Sequence, residues 1–83
     1  MKYKIKYEKK CLKYLKKIDK NTQLRVIRAI NKLPLGDVRR LQGSTANYRL
    51  RVGNYRIIFS KDDEKFVIFV VGIGPRGKIY DIY

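Results

Sequence analysis

The sequence predicts an α+β domain in which a two-helix hairpin packs on an antiparallel sheet, with the element order β-α-α-β-β-β. Three observations predict this class. Hydrophobic and polar residues alternate near the start, hydrophobic residues recur at helical spacing between residues 9 and 33, and a two-residue hairpin signal separates two later segments. The chain has 83 residues and a mass of 9.9 kDa, so we assign residues 1–83 to a single domain.

The first strand and both helices follow from a change of hydrophobic period. Residues 1–8 alternate between largely apolar and charged side chains, which predicts a half-buried strand. The first helix spans residues 9–20, and its apolar stripe consists of Cys11, Leu12, Leu15 and Ile18. The second helix is capped by Asn21 or Thr22 and ends at the Pro34 to Asp37 segment. Its stripe consists of Leu24, Val26, Ile27, Ile30 or Asn31, and Leu33.

Three further strands follow a polar connector over residues 35–47. Residues 48–52 alternate, Gly53-Asn54 is typical of a two-residue hairpin turn, and residues 55–59 form the returning strand. The charged segment 61–65 predicts a second turn. The nearly continuous apolar segment 66–73 is typical of a central strand that is covered on at least one face.

The predicted hairpin places three arginines, Arg49, Arg51 and Arg56, on the face of the sheet opposite the core. The core face consists of Tyr48, Leu50, Val52, Tyr55, Ile57 and Phe59. Arg51 lies directly opposite Arg56, and such like-charged pairs destabilise a sheet by up to about 1 kcal/mol. We expect no acidic residue near the cluster. A bound anion explains it best, because the guanidinium fork matches phosphate oxygens, and three simply solvated arginines are the alternative.

Charge and composition restrict the function further. Twenty-one lysines and arginines against seven acidic residues give a net charge of +14, which indicates a polyanionic partner. The chain has no histidine, which excludes the Ser-His-Asp triad, the Cys-His pair and HExxH zinc sites. The acidic residues are too scattered for a carboxylate metal cluster, so we expect neither a metal nor another cofactor.

The single cysteine and the hydropathy pattern indicate a cytoplasmic protein with no membrane segment. Cys11 has no partner for an internal disulfide, which fits a reducing compartment, and we interpret it as a core residue and not a nucleophile. The longest strictly apolar run is six residues, against the roughly 20 needed to span a bilayer. We therefore expect neither a secretory nor a transmembrane segment.

Lysine dominates the helical part of the chain, and arginine dominates the hairpin part. Residues 1–32 hold twelve basic and two acidic residues, whereas every basic residue between 37 and 60 is an arginine. The lysines form either a solvated face or a surface that steers the protein toward a polyanion. As candidates for RNA or ribosome binding we take Lys9, Lys13, Lys17, Arg39 and Arg40.

Three segments carry a resemblance to a known family. Tyr48 to Phe59 (YRLRVGNYRIIF), the apolar strand after it and Gly74 to Tyr80 (GPRGKIY) resemble the RelE/ParE toxin superfamily of type II toxin–antitoxin systems. The resemblance covers almost the whole chain and implies a RelE-like mRNA interferase, a metal-independent endoribonuclease. Such toxins enter the ribosomal A site, where the 2′-hydroxyl of the mRNA attacks the adjacent phosphate. The resemblance also implies a cognate antitoxin with an acidic or amphipathic segment, and contact with operator DNA only through the antitoxin complex.

The resemblance implies a role for each of five residues. Arg49 and Arg51 match two basic positions, often lysine in relatives, that hold the phosphate or help to activate the 2′-hydroxyl. Arg56 matches the arginine that stabilises the transition state. Arg76 matches the arginine near the leaving oxygen, which acts as the general acid. Tyr80 matches the tyrosine that orients or activates the nucleophile. Because Arg49 and Arg51 stay protonated before the reaction, neither can act as the base, and Tyr80 is the better candidate. Pro75 stands where many relatives have histidine, which removes one proton-transfer group.

Two other functions stay open at this point. A ParE-like toxin would poison DNA gyrase, but such members generally lack the full residue set, and the presence of Arg76 and Tyr80 favours the RelE branch. A non-enzymatic RNA- or ribosome-binding module would also suit the basic surface. It would show steeply salt-dependent RNA binding without cut products.

Overall fold

The structure is a computed structural model that describes residues 3–41 and 47–75. Its elements are β1 (Lys4–Tyr7), α1 (Lys9–Lys17), α2 (Lys20–Asn31), β2 (Val38–Arg40), β3 (Asn47–Val52), β4 (Tyr55–Asp62) and β5 (Val67–Pro75). The strands form one sheet in the order β1-β5-β4-β3-β2, and the two helices pack on one face of it. The predicted α+β class and the helical hairpin on a sheet are confirmed.

The sheet differs from the prediction at both edges. β1 pairs in parallel with β5, so the sheet is mixed and the expectation of a wholly antiparallel sheet is wrong there. Residues 38–40, assigned to a connector, form β2 and pair antiparallel with β3. Alternation indicates which residues lie on one face of a strand, but it carries no information about strand direction. A three-residue strand with two arginines is also too short and too polar to produce a recognisable period.

The two helices begin and end close to the predicted positions, with one correction at the cap of α2. Its N-cap is Asp19, whose carboxylate accepts hydrogen bonds from the Thr22 backbone N–H at 3.0 Å and from the Thr22 hydroxyl at 2.7 Å. The predicted caps, Asn21 and Thr22, instead lie inside the helix. The hydrogen bonds from Thr22 lower the pKa of Asp19. Within residues 3–41 and 47–75, neither helix has the length and hydropathy of a membrane span.

The core lies between the helices and one face of the sheet. Its fully or largely buried members are Cys11, Leu15, Val26, Ile30, Leu33, Leu50, Ile57, Phe59, Ile68, Val70 and Ile73. The predicted core face of the hairpin is confirmed, although Tyr48, Val52 and Tyr55 are only half-buried. Two predicted stripe members, Leu12 and Leu24, are exposed instead. In α2 the buried face is centred on Val26 and Ile30, four residues apart, which turns Leu24 outward.

Cys11 is a buried core residue, as predicted from the sequence. Its Sγ donates to the backbone carbonyl of Val70 at 3.6 Å, and burial raises the pKa of the thiol to about 11. On the order of a thousandth of such thiols is ionised at about pH 8, and only the thiolate reacts with alkylating agents. Burial and the raised pKa therefore both oppose modification of the folded protein.

We expect iodoacetamide to alkylate Cys11 in the folded protein at least about 100-fold more slowly than in the urea-unfolded protein. The measurement is the mass increase against time, with both samples at the same mildly alkaline pH. Raising the pH further should accelerate the reaction of the folded protein, because its thiol titrates above the usual range. Equal rates in the two samples would contradict the buried placement.

Candidate functional site

The hairpin register brings the three predicted arginines to the sheet face that the helices do not cover. Arg51 pairs directly with Arg56, and Arg49 pairs with Ile58. The turn between the strands is the predicted two-residue one, with Val52 opposite Tyr55 and Gly53 at φ +58°. A residue with a side chain is strained at this angle, so glycine suits the turn. Alternation along β3 and β4 then places the arginines together, which the sequence had predicted.

Arg56 is buried and is bound to the turn of its own hairpin. Its Nη1 donates to the carbonyl oxygens of Gly53 and Tyr55, both at 3.0 Å. A buried cation is unfavourable unless hydrogen bonds compensate for lost hydration, and these two carbonyls provide such bonds. The contacts hold the guanidinium in one position before any ligand binds. Such preorganised positive charge is what stabilises charge that develops during a reaction.

Arg49 and Arg51 share an acidic neighbour, Asp37, and the expectation that no acid lies near the cluster is wrong. The Asp37 carboxylate lies 2.6 Å from Arg51 Nε and 3.7 Å from Arg49 Nη1. Asp37 directly precedes β2, and its carbonyl accepts a hydrogen bond from the Arg51 backbone N–H at 3.0 Å. This neighbour was not predicted from the sequence, because residues 38–40 were assigned to a connector. They form β2, and its pairing with β3 brings Asp37 opposite Arg51.

Arg49 retains a hydrogen-bond donor that no described group satisfies. Its side chain is 13% exposed, against 56% for Arg51. Its Nη1 is buried and has no hydrogen-bond partner in residues 3–41 and 47–75, because Asp37 is too distant for a hydrogen bond. An unsatisfied buried donor costs about 1–3 kcal/mol, so Arg49 is held beside Asp37 at an energetic cost. Together with the largely exposed guanidinium of Arg51, it places positive charge on this face, which suits the face to binding an anion.

The other basic candidates are divided between the two faces of the sheet. Arg39 pairs with Arg49 across β2 and β3 and thus extends the arginine face toward the sheet edge. Arg40 points the other way, where it donates to the Tyr48 hydroxyl at 3.3 Å and lies over that ring. The three lysine candidates are exposed on α1, on the helical side of the sheet: Lys9, Lys13 and Lys17.

Arg25 adds a basic side chain at the hairpin that the sequence reading did not single out. Its Nη2 lies 3.0 Å from where a Cβ on Gly53 would stand, so the side chain lies against the turn. Its position on the exposed surface of α2 gave no sequence signal, since the contact exists only in the folded chain. Arg25 extends positive charge around the end of the hairpin that Arg56 also occupies.

The remaining predicted site residues, Arg76 and Tyr80, lie outside the described residues. The described part of β5 ends at Pro75, which pairs with Tyr55 at the same end of the sheet as Arg56. Among residues 3–41 and 47–75, no group of three or more potential metal ligands comes together. The described arginines can bind and stabilise negative charge, but they cannot take up a proton.

Comparisons with known proteins show the family and the fold to which the chain is similar. A family model described as ParE toxin of type II toxin–antitoxin system, parDE, matches residues 5–80. No curated protein matches the sequence. The archaeal RelE–RelB complex from Pyrococcus horikoshii contains a chain that is 30% identical, with 94% of this chain and 99% of that chain covered and a TM-score of 0.78.

Two further solved structures have the same fold. The RelB–RelE complex from Methanococcus jannaschii contains a chain 27% identical, with 94% of this chain and 98% of that chain covered and a TM-score of 0.72. The RelBE2 toxin–antitoxin complex from Mycobacterium tuberculosis contains a chain that is 18% identical, with 92% of this chain and 100% of that chain covered and a TM-score of 0.79. At that identity the likeness shows the fold alone.

Proposed function

Because this chain belongs to the RelE/ParE superfamily of type II toxin–antitoxin toxins, we propose that it is an mRNA interferase that cuts mRNA in the ribosomal A site. In the proposed reaction the 2′-oxygen forms a bond to the adjacent phosphorus and the bond to the 5′-oxygen breaks. The products are a 2′,3′-cyclic phosphate and a 5′-hydroxyl. One proton leaves the 2′-hydroxyl and one reaches the departing oxygen, so the step balances.

The observation that carries this proposal is the arginine face, with Arg56 held in place by its own turn and with the exposed guanidinium of Arg51 beside the largely buried one of Arg49. Phosphoryl transfer depends mainly on positioning and on stabilising the charge of the phosphate oxygens. Arg49 and Arg51 would hold the scissile phosphate, and Arg56 would stabilise the additional charge of the transition state. The proton transfers are assigned to Tyr80 as base and Arg76 as acid, from the family resemblance.

Dependence on the ribosome has a physical reason in this site. The described arginines cannot act as a general base. Exact placement of the RNA therefore contributes much of the rate enhancement, and placement alone can account for many orders of magnitude in rate. We propose that the ribosome supplies this placement in the cytoplasm. The surface that would contact ribosomal RNA consists of exposed lysines of α1 and arginines of β2: Lys9, Lys13, Lys17, Arg39 and Arg40.

The proposed partner that silences the toxin is a cognate antitoxin. Chains similar to this one occur in complexes with RelB antitoxins, in the Pyrococcus horikoshii and Methanococcus jannaschii structures. The net charge of +14 favours an acidic or amphipathic antitoxin segment. Operator DNA would be contacted only through the toxin–antitoxin complex.

A gyrase poison is the second candidate, because the family model that matches the chain describes a ParE toxin. The buried, hydrogen-bonded Arg56 and the exposed guanidinium of Arg51 favour RNA cleavage, since a protein that only traps gyrase needs no site for a reacting phosphate. The two candidate functions predict different first effects in the cell. The interferase stops translation, whereas the gyrase poison breaks DNA while translation continues.

The proposal is tested by mapping new 5′ ends on a defined mRNA incubated with the purified protein, with and without programmed ribosomes. We expect cuts within the A-site codon only when ribosomes are present. Arg51→Ala should slow cutting by about 100-fold, by removing one charged phosphate ligand. Arg51 is largely exposed, so the variant should keep its fold.

Arg28→Ala is the matched control, since Arg28 is an exposed arginine of α2 and its loss removes the same charge far from the arginine face. We expect this variant to cut like the unmutated protein. No cutting by the folded unmutated protein in either condition would contradict the proposal. Stabilised gyrase–DNA cleavage complexes in a parallel assay would then support the ParE reading.

A further inference from the structure

One acidic side chain, Asp37, lies within the arginine face and has no role in the proposed reaction. Its carboxylate forms an ion pair with Arg51 Nε at 2.6 Å and lies 3.7 Å from Arg49 Nη1. Its backbone is fixed as well, because its carbonyl accepts the Arg51 N–H. A carboxylate at a site for phosphate repels the ligand, so its presence requires a physical explanation.

The explanation lies in the mutual repulsion of the arginines. Arg49 and Arg51 lie two residues apart on one face of β3, and Arg56 lies directly opposite Arg51. Without a counter-charge, the more exposed Arg51 side chain would turn into solvent, away from its positively charged neighbours. The contact between Arg51 Nε and Asp37 holds one edge of the guanidinium and leaves its two terminal nitrogens available to a ligand.

The same carboxylate acts differently on Arg49. At 3.7 Å it attracts the largely buried guanidinium without satisfying the Nη1 donor, which has no hydrogen-bond partner in the described parts of the chain. The guanidinium is therefore kept in place beside Arg51, with its Nη1 below the surface. Asp37 thus lies against one nitrogen atom of Arg51 and one of Arg49.

We propose that Asp37 is a positioning residue of the anion site, which orders Arg49 and Arg51 for the scissile phosphate and weakens their binding to other polyanions. The inference rests on the proposed function and extends it to the selection of substrate. A phosphate that is placed correctly gains from the ordered donors. A polyanion that binds anywhere on the face meets the carboxylate and gains less.

Asp37→Asn separates these two effects, because it keeps the shape of the side chain, removes its charge and replaces one accepting oxygen with an NH2 group. We expect two opposite changes. Binding to a non-cleavable single-stranded RNA, with 2′-O-methyl groups, should tighten and its salt dependence should steepen, because each phosphate contact contributes about 0.7 to the slope of log K against log salt. Single-turnover cleavage on the ribosome should fall by about 10- to 100-fold, because the arginines lose their alignment.

Two further variants complete the experiment. Asp37→Glu keeps the charge and should restore most of the cleavage rate and the weaker RNA binding. Glu64→Gln removes one negative charge in the exposed turn between β4 and β5, and it should leave the cleavage rate unchanged. Thermal unfolding of each variant, followed by circular dichroism, reports whether the fold is preserved.

The outcomes distinguish the inference from its alternatives. Asp37→Asn that behaves like Glu64→Gln in both assays would overturn it. Loss of cleavage together with weaker RNA binding and a lower unfolding temperature would also overturn it, in favour of a purely structural role. If the unmutated protein cuts no mRNA, the proposed function fails, and the RNA-binding arm still decides whether Asp37 restrains the arginines.

Discussion

Replacing Arg56 with alanine is expected to reduce the rate of A-site cleavage by about 10²- to 10³-fold, the usual effect of removing a preorganised charge-stabilising donor. The effect should be on the chemical step, because Arg56 is buried and held by its own turn and contributes little to the first encounter with RNA. Single-turnover cleavage of a defined mRNA on programmed ribosomes measures it. The RNA-binding affinity measured in parallel should change much less.

The same substitution also removes two hydrogen bonds to the hairpin turn, so stability needs a separate control. Arg56→Lys keeps the positive charge, but its single ammonium group cannot bind the turn and present a planar fork to the phosphate. We expect Arg56→Lys to remain folded and still to cut at least about tenfold more slowly. Cleavage at the normal rate by a folded Arg56 variant would show that the reacting phosphate binds elsewhere.

Replacing Phe59 with alanine is expected to lower the free energy of unfolding by about 3–5 kcal/mol. Phe59 is 0% exposed in the centre of the sheet and stacks on Tyr48, with ring centroids 5.5 Å apart. Truncation leaves a cavity between the sheet and the helices that the surrounding side chains can fill only in part. Since small domains are stable by about 5–15 kcal/mol, this one change should leave a large fraction of molecules unfolded.

Phe69→Ala is the matched control for that prediction. Phe69 is a phenylalanine in the same sheet, but its side chain is 40% exposed on the face that the helices do not cover. Its truncation should cost about 1 kcal/mol or less. Urea unfolding followed by circular dichroism compares the two variants. Similar midpoints for both would show that the core does not lie where the structure places it.

The β3–β4 hairpin could be predicted from sequence because local chemistry determines it. A two-residue turn fixes the pairing of the strands that it joins, and a shift of one residue would move every apolar side chain to the wrong face. The pairing of Arg51 with Arg56 and the burial of Leu50 and Ile57 follow from that single choice. The common face of the three arginines was predictable for the same reason.

The features that the sequence did not reveal depend on contacts between distant segments. The ion pair between Asp37 and Arg51 exists because β2 pairs with β3, and β2 has only three residues. Likewise, the parallel pairing of β1 with β5 leaves no mark on the alternation of either strand. At the cap of α2, several polar residues could serve, and the geometry of the chain after α1 selects Asp19. The roles of the arginines in catalysis stay predictions.

The position of β5 has a consequence for folding during translation. β5 is the last strand along the described chain, yet it lies between β1 and β4, and Lys4 pairs with Val67 across more than sixty residues of sequence. During translation β1 must wait without its partner until β5 has been synthesised and has left the exit tunnel. Contacts between such distant segments also form slowly. A nascent chain therefore cannot complete its sheet until the last described strand has emerged from the ribosome.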